Sequence, residues 1–218
     1  MNQPTEIPNL SAVAAPLANP VGEFLAHVRR TIELLDQVAI EAVIERLFTA
    51  WKERRTVFVM GNGGSASTAS HFGADLAKYT IVGTKPRFRV FGLTDNVPLI
   101  TAWTNDNGWS SIFAEQMAPW VESGDVLVGF SVHGGSVLTE AGAWSQNLVL
   151  AMDLAKRAGA DVIGFSGYDG GMMARMADHS VVVPAIVDSL GTPIIEGVHL
   201  MLHHLVIHTL RERIREYA

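Results

Sequence analysis

Five short apolar runs alternate with stretches long enough to hold helices, and this alternation restricts the fold more than any other feature of the chain. The runs are Thr56–Met60 (TVFVM), Arg89–Leu93, Asp125–Phe130 (DVLVGF), Asp161–Phe165 (DVIGF) and Ser180–Val183. Nearly unbroken β-branched and apolar residues suit strands buried on both faces. Helical periodicity marks Ala66–Tyr79, roughly Ser110–Val121, roughly Val137–Ala158, and Pro193 to about Arg213. Strands that alternate with helices predict an α/β domain: a parallel sheet covered by helices, with right-handed crossovers. Ligands of such sheets sit beyond the carboxyl ends of the strands, near a switch in strand order. Gly61, Thr94, Ser131 and Ser166 are therefore the starts of candidate site loops.

The 218 residues, 48% hydrophobic and 17% charged, allow one domain with a sizeable core. Residues 1–20 carry four prolines among Ala, Asn and Ser and read as a disordered or loosely docked arm, leaving 21–218 as the domain. From Val21 to Lys52 two helical stripes follow, Phe24, Val28, Ile32 and Leu35, then Ala42, Ile44, Leu47 and Trp51, which suit core or subunit packing. A net charge of −6 argues against a nucleic-acid or acidic-membrane surface, since backbone phosphates need clustered Lys and Arg. The chain has no cysteine, which removes disulfides and thiolate metal sites. Met1–Pro20 lacks a basic start and an apolar run, and no uninterrupted apolar stretch is long enough to span a membrane. A cytoplasmic protein is the expectation.

Two loops have the chemistry of an anion cradle. Gly61–Ser67 (GNGGSAS) follows a strand and opens a helix. Its glycines permit close backbone approach, and the helix end offers unpaired N–H groups. It is not GxGxxG and lacks the GK[ST] ending of a nucleotide-phosphate loop, and alone it could be a plain tight turn. Phe130–Ser136 (FSVHGGS) repeats the pattern and is also expected to open a helix, which makes coincidence less attractive. Gly164–Gly171 has the same grammar but reads as structural. Thr104–Trp109 (TNDNGW) is expected to be a polar turn between helices, able to bond sugar hydroxyls.

The histidines are unevenly placed. His71 and Asp75 are four apart and share a helix face. The last helix carries Glu196, His199, His203, His204 and His208, half of the chain's eight histidines. Imidazoles with carboxylates suit a borderline divalent ion such as zinc, nickel or iron(II), although a single helical histidine is more often an ordinary core or surface residue. By periodicity Glu196, His199 and His203 fall close together, with His204 and His208 on the adjacent stripe. Spacing alone leaves His203 and His204 as alternatives.

These segments together resemble the sugar isomerase (SIS) domain, and within it the phosphoheptose isomerases. The resemblance runs from about Val21 to Ile214 and is carried by Gly61–Leu76, Thr104–Phe113, Gly124–Ser136, Ser166–Met173 and Thr192–His204. It implies a three-layer sandwich around a five-stranded parallel sheet, N-terminal helices packed between subunits, and a homotetramer with sites at subunit borders. It places the family's metal ligands, for zinc, on His71, Asp75, Glu196 and His204, and so selects His204 over His203. It places substrate binding on Asn62, Gly63, Gly64, Ser65, Asn105, Asp106 and Glu196, and phosphate binding on Ser131 and Ser136, with His133 able to add charge.

The activity implied is interconversion of sedoheptulose 7-phosphate and glycero-manno-heptose 7-phosphate through an enediol, with Asp75 and His204 sharing the proton transfers. Asp75 stands where the family has Glu, and Glu196 where it has Gln. The family's Ser-Thr-Ser-Gly-Asn-Ser is SVHGGS here, two hydroxyls fewer, and there is an insertion near Trp144–Leu150. These departures leave open another phosphosugar as substrate. Relatives that bind phosphosugars as regulators, or serve as adaptors for a replication initiator, are the non-catalytic alternatives.

Overall fold

In the computed structural model residues 19–136, 144–185 and 187–217 are described, so the proline-rich arm and part of the segment after Ser136 lie outside the described residues. The elements are α1 (Pro20–Glu33), α2 (Gln37–Lys52), β1 (Thr56–Gly61), α3 (Gly64–Lys78), β2 (Arg89–Gly92), α4 (Val97–Asn107), α5 (Ile112–Met117), β3 (Val126–Phe130), α6 (Gln146–Arg157), β4 (Asp161–Gly167), α7 (Gly171–Met176), β5 (His179–Val183) and α8 (Asp188–Glu216). All five expected strands form, within one or two residues of their sequence bounds. They make one sheet in the order β2-β1-β3-β4-β5, and every pairing is parallel.

Alternation along each strand separates two cores. Val57, Val59, Val126, Val128, Ile163 and Phe165 face α2, α3 and α8. Phe58, Met60, Leu127 and Val162 face the other way, onto α5, α6 and α7. Side chains of successive strand residues point to opposite faces, so one apolar run supplies both cores. Burying those side chains is the main stabilising term, at roughly 1.5–3 kcal/mol for each fully buried Val, Leu, Ile or Phe.

After β1 the chain returns through α3 to β2 on one flank. After β3 it passes through α6 to β4 on the other flank, and α3 and α6 lie on opposite faces. The switch in strand order thus falls between β1 and β3, where the two glycine loops emerge side by side.

Two expectations need correction, and a third falls on residues outside those described. Thr104–Asn107 is not a turn but the last turn of α4, which Asn96 caps by accepting from the Leu99 N–H at 3.1 Å. The turn itself is at Gly108, with φ of 85°. The expected helix start at Val137 lies outside the described residues, and the described helix α6 begins at Gln146. α8 is longer than the sequence suggested and has Pro193 as its sixth residue, just past the four N–H groups that lack an intrahelical acceptor, so the ring gives up one helical hydrogen bond. By length and composition α8 could cross a membrane. Half of its apolar window is buried, however, and it packs against α2 and α3.

Candidate active site

A side-chain pair joins the β1 loop to α6, the helix between β3 and β4. Asn62 and the fully buried Asn147 exchange amide hydrogen bonds at 3.0 and 2.7 Å. This pair ties the first loop to the start of α6 across the switch point. In the first loop Gly63 has φ of 56°, a conformation other residues adopt only with strain. The Glu196 carboxylate lies directly against Gly64, in the space a Cβ there would enter. Ser65 is buried at the start of α3.

The second loop is internally bonded. The Gly134 N–H donates to Ser131 Oγ at 3.0 Å, and the Trp144 N–H donates to Ser136 Oγ at 2.9 Å. Each hydroxyl keeps its own hydrogen to donate elsewhere. The His133 ring stacks on Tyr168 at 4.7 Å and meets the edge of Trp144 at 6.0 Å. A cavity of about 310 Å³ opens here, lined by His133, Ser136, Trp144, Asp169, Met172 and Arg175 among others. Trp144, Tyr168 and Arg175 were not singled out from sequence, since nothing local marks them.

The histidine group lies elsewhere. α3 starts at the carboxyl end of β1 and runs back along the sheet, so His71 is seven residues, about 10 Å, from Gly64 along the axis. There α3 packs on α8, and three imidazoles surround one carboxylate. Asp75 Oδ2 lies 2.9 Å from His203 Nε2, 3.5 Å from His71 Nε2 and 3.7 Å from His204 Nδ1. One ring nitrogen from each histidine falls within 4.8 Å of the others. A cavity of about 370 Å³ borders the group, lined by His71, Asp75, Tyr79, His204, Ile207 and His208. Three imidazoles and a carboxylate at this spacing fit a borderline divalent ion.

Of the expected ligands, the structure brings together His71, Asp75 and His204, and adds His203. It does not bring Glu196 to them. That carboxylate sits beside Gly64 at the first loop, and eight residues of α8, about 12 Å of axis, separate Glu196 from His204. Asn105 and Asp106 are both exposed at the end of α4, where Asn105 Nδ2 donates to Asp106 Oδ1 at 2.7 Å.

His199, one turn before His203, is structural. It is buried edge-on against the stacked pair Phe130 and Phe165, with Nε2 3.2 Å from the Ser166 carbonyl oxygen. Burial pushes its pKa down to about 4 from 6.5, partly countered by that hydrogen bond. The unfolded chain therefore binds the proton more readily between these values, and stability falls as pH drops from about 6.5 toward 4. His199→Met should reduce the stability lost between pH 7 and pH 4.5 by about 2–3 kcal/mol. Urea unfolding at the two pH values measures it, and equal losses in both proteins would remove His199 as the cause.

Comparison with known proteins adds a lineage to this geometry. Residues 23–167 match the model of the SIS domain family. The chain is 45% identical over 166 residues to the lincomycin biosynthesis protein LmbN of Streptomyces lincolnensis, covering 76% of this chain but only 59% of that protein. It is 34% identical over 204 residues to the phosphoheptose isomerase of a Nitratiruptor species, covering 86% of this chain and 98% of the relative. Among solved structures, phosphoheptose isomerase GmhA from Neisseria gonorrhoeae superimposes with a TM-score of 0.72 at 26% identity, covering 88% of this chain and 95% of that one.

Proposed function

The chain belongs to the SIS domain family, in its phosphoheptose isomerase branch, and from that premise we propose that it is a metal-dependent aldose–ketose isomerase of a sugar phosphate. The observation that carries the reading is the convergence of His71, His203 and His204 on Asp75 beside an open cavity. A protein that only binds sugar phosphates has no use for such a group.

Isomerisation moves a proton between neighbouring carbons of the sugar through an enediol, and moves another between their oxygens. A divalent ion such as zinc, held by His71, Asp75 and His204, supplies Lewis-acid polarisation of the carbonyl when bound. Asp75 is the carboxylate placed to take or return the carbon-bound proton, and His204, half exposed to the cavity, exchanges with the oxygens. The loops Asn62–Ser65 and Ser131–Ser136 orient the sugar phosphate. Ser136, His133 and Arg175, which line one cavity, and Ser131 of the same loop supply the donors that a phosphate needs.

In one subunit these loops and the histidine group sit at different depths along α3. That separation supports a homotetramer in which a site combines groups from two subunits. The exposed apolar residues of the N-terminal helices and α8, among them Val38 at 80% exposure and Leu205 at 45%, offer the surface for such packing.

Sedoheptulose 7-phosphate is the leading substrate, from the phosphoheptose isomerase relatives. A second phosphosugar is favoured by two observations: the SVHGGS loop, where Val132 and His133 replace hydroxyls, and the higher identity to a lincomycin biosynthesis protein. A panel of ketose phosphates of five to eight carbons, assayed with zinc, decides between them. One substrate should turn over with kcat in the ordinary range of about 1–10³ s⁻¹. Binding without turnover across the panel would replace the isomerase by a phosphosugar-binding module.

A further inference from the structure

Three imidazoles approach Asp75, but only one is at hydrogen-bond distance. His203 Nε2 lies 2.9 Å from Asp75 Oδ2, whereas His71 and His204 stand off at 3.5 and 3.7 Å. His203 also differs in burial: its side chain is 0% exposed, against 47% for His71 and 55% for His204. Its ring is packed against Phe72, centroids 5.6 Å apart, and stacked on His204 at 4.3 Å. Its second nitrogen, Nδ1, is buried without a hydrogen-bond partner among the described residues.

These facts select a tautomer. A neutral imidazole carries one N–H, on either Nδ1 or Nε2. With the hydrogen on Nδ1, a buried donor would have no acceptor, and the bare Nε2 lone pair would face the lone pairs of a carboxylate. With the hydrogen on Nε2, the carboxylate receives a donor and only an acceptor inside an apolar pocket goes unmet. Unmet buried acceptors are the better tolerated of the two. A ring nitrogen that carries hydrogen has no lone pair for a metal ion.

We infer that His203 is a positioning residue: its Nε2–H fixes the Asp75 carboxylate toward the divalent site, and the ring does not itself ligate the ion. The inference rests on the proposed metal site of His71, Asp75 and His204, and gives a separate task to the histidine that stands next to a ligand in sequence. His203 is rigid because it is buried, so Asp75 inherits a fixed orientation that a side chain 25% exposed would not have by itself. Groups that orient a metal-binding carboxylate in this way typically change metal affinity by about 10- to 100-fold when removed.

The test uses the full chain with ¹⁵N-labelled histidine, and the His203→Gln spectrum assigns the resonances. In metal-free protein, His203 should show a protonated Nε2 and an unprotonated Nδ1. After cadmium-113 is added, ring nitrogens of His71 and His204 should couple to the metal, with His203 unchanged. A hydrogen on Nδ1, or cadmium coupling at His203, overturns the inference. If the chain takes up no cadmium, the metal site falls, and the metal-free tautomer still decides the role of His203.

Affinity for zinc supplies the second arm. His203→Gln keeps an N–H donor and should hold zinc affinity within about threefold of the parent, whereas His203→Leu should weaken it about 10- to 100-fold. Equal affinity in the parent and His203→Leu would overturn the positioning role. Should His203→Leu fail to fold, the spectra of the parent protein are decisive.

Discussion

Asp75→Asn should lower kcat for isomerisation by at least about a thousandfold in a protein that remains folded. Asparagine has nearly the same shape as aspartate, so α3 and α8 keep their packing. The amide oxygen introduced by the substitution could still accept from His203 Nε2, which preserves the bond the buried ring makes. The negative charge among three imidazoles would be gone, and with it both the anionic metal ligand and the base. Asp75 is only partly buried and faces a cavity, so the stability change should stay within about 1 kcal/mol. His204→Ala should fall in parallel, because its ring reaches the same cavity. Rates with the preferred ketose phosphate, together with thermal midpoints, give the result. Near-normal turnover in Asp75→Asn would sink the assignment of the chemistry to this group.

How much of this was legible in sequence depends on range. The five strands were, because a parallel strand covered on both faces is a continuous apolar run. Thr56–Gly61 and Val126–Phe130 carry that signal without help from neighbours. The end of α4 was not. Thr104, Asn105, Asp106 and Asn107 are turn formers by local chemistry, but the Asn96 cap and packing against α5 carry the helix through them. The first loop and the pairing of His71 with Asp75 were readable from motif and helical spacing.

The depth of that pair below the loop was not readable, because it depends on α3 running back along the sheet. The Asn62–Asn147 pair was equally hidden, since 85 residues separate two amides that gain meaning only when β1 and β3 are adjacent. That His203 and His204 both approach Asp75 was hidden as well. Successive residues of a helix can both approach one carboxylate when one ring is buried in the helix interface and the other lies at its rim.

Stripping divalent ions with a chelator should silence the protein by at least about a hundredfold, and stoichiometric zinc should restore it. Among the described residues Asp75 is the carboxylate that meets all three imidazoles, so the ion's affinity should depend on few groups. His71→Ala removes one of them and should weaken zinc binding about 100-fold or more. Glu196 provides the sharper comparison. The family resemblance leads us to expect a ligand there, yet its carboxylate rests against Gly64 at the first loop, two turns of α8 away from His203 and His204. From that geometry, Glu196→Gln should leave zinc affinity within about threefold and alter KM for the sugar phosphate instead, since the charge it removes lies at the substrate loop. Competition with a zinc-responsive dye measures the first quantity and initial rates the second. A large loss of zinc in Glu196→Gln would mean that the ion sits close to the first loop, and that the three-histidine group of a single subunit is not where it is held.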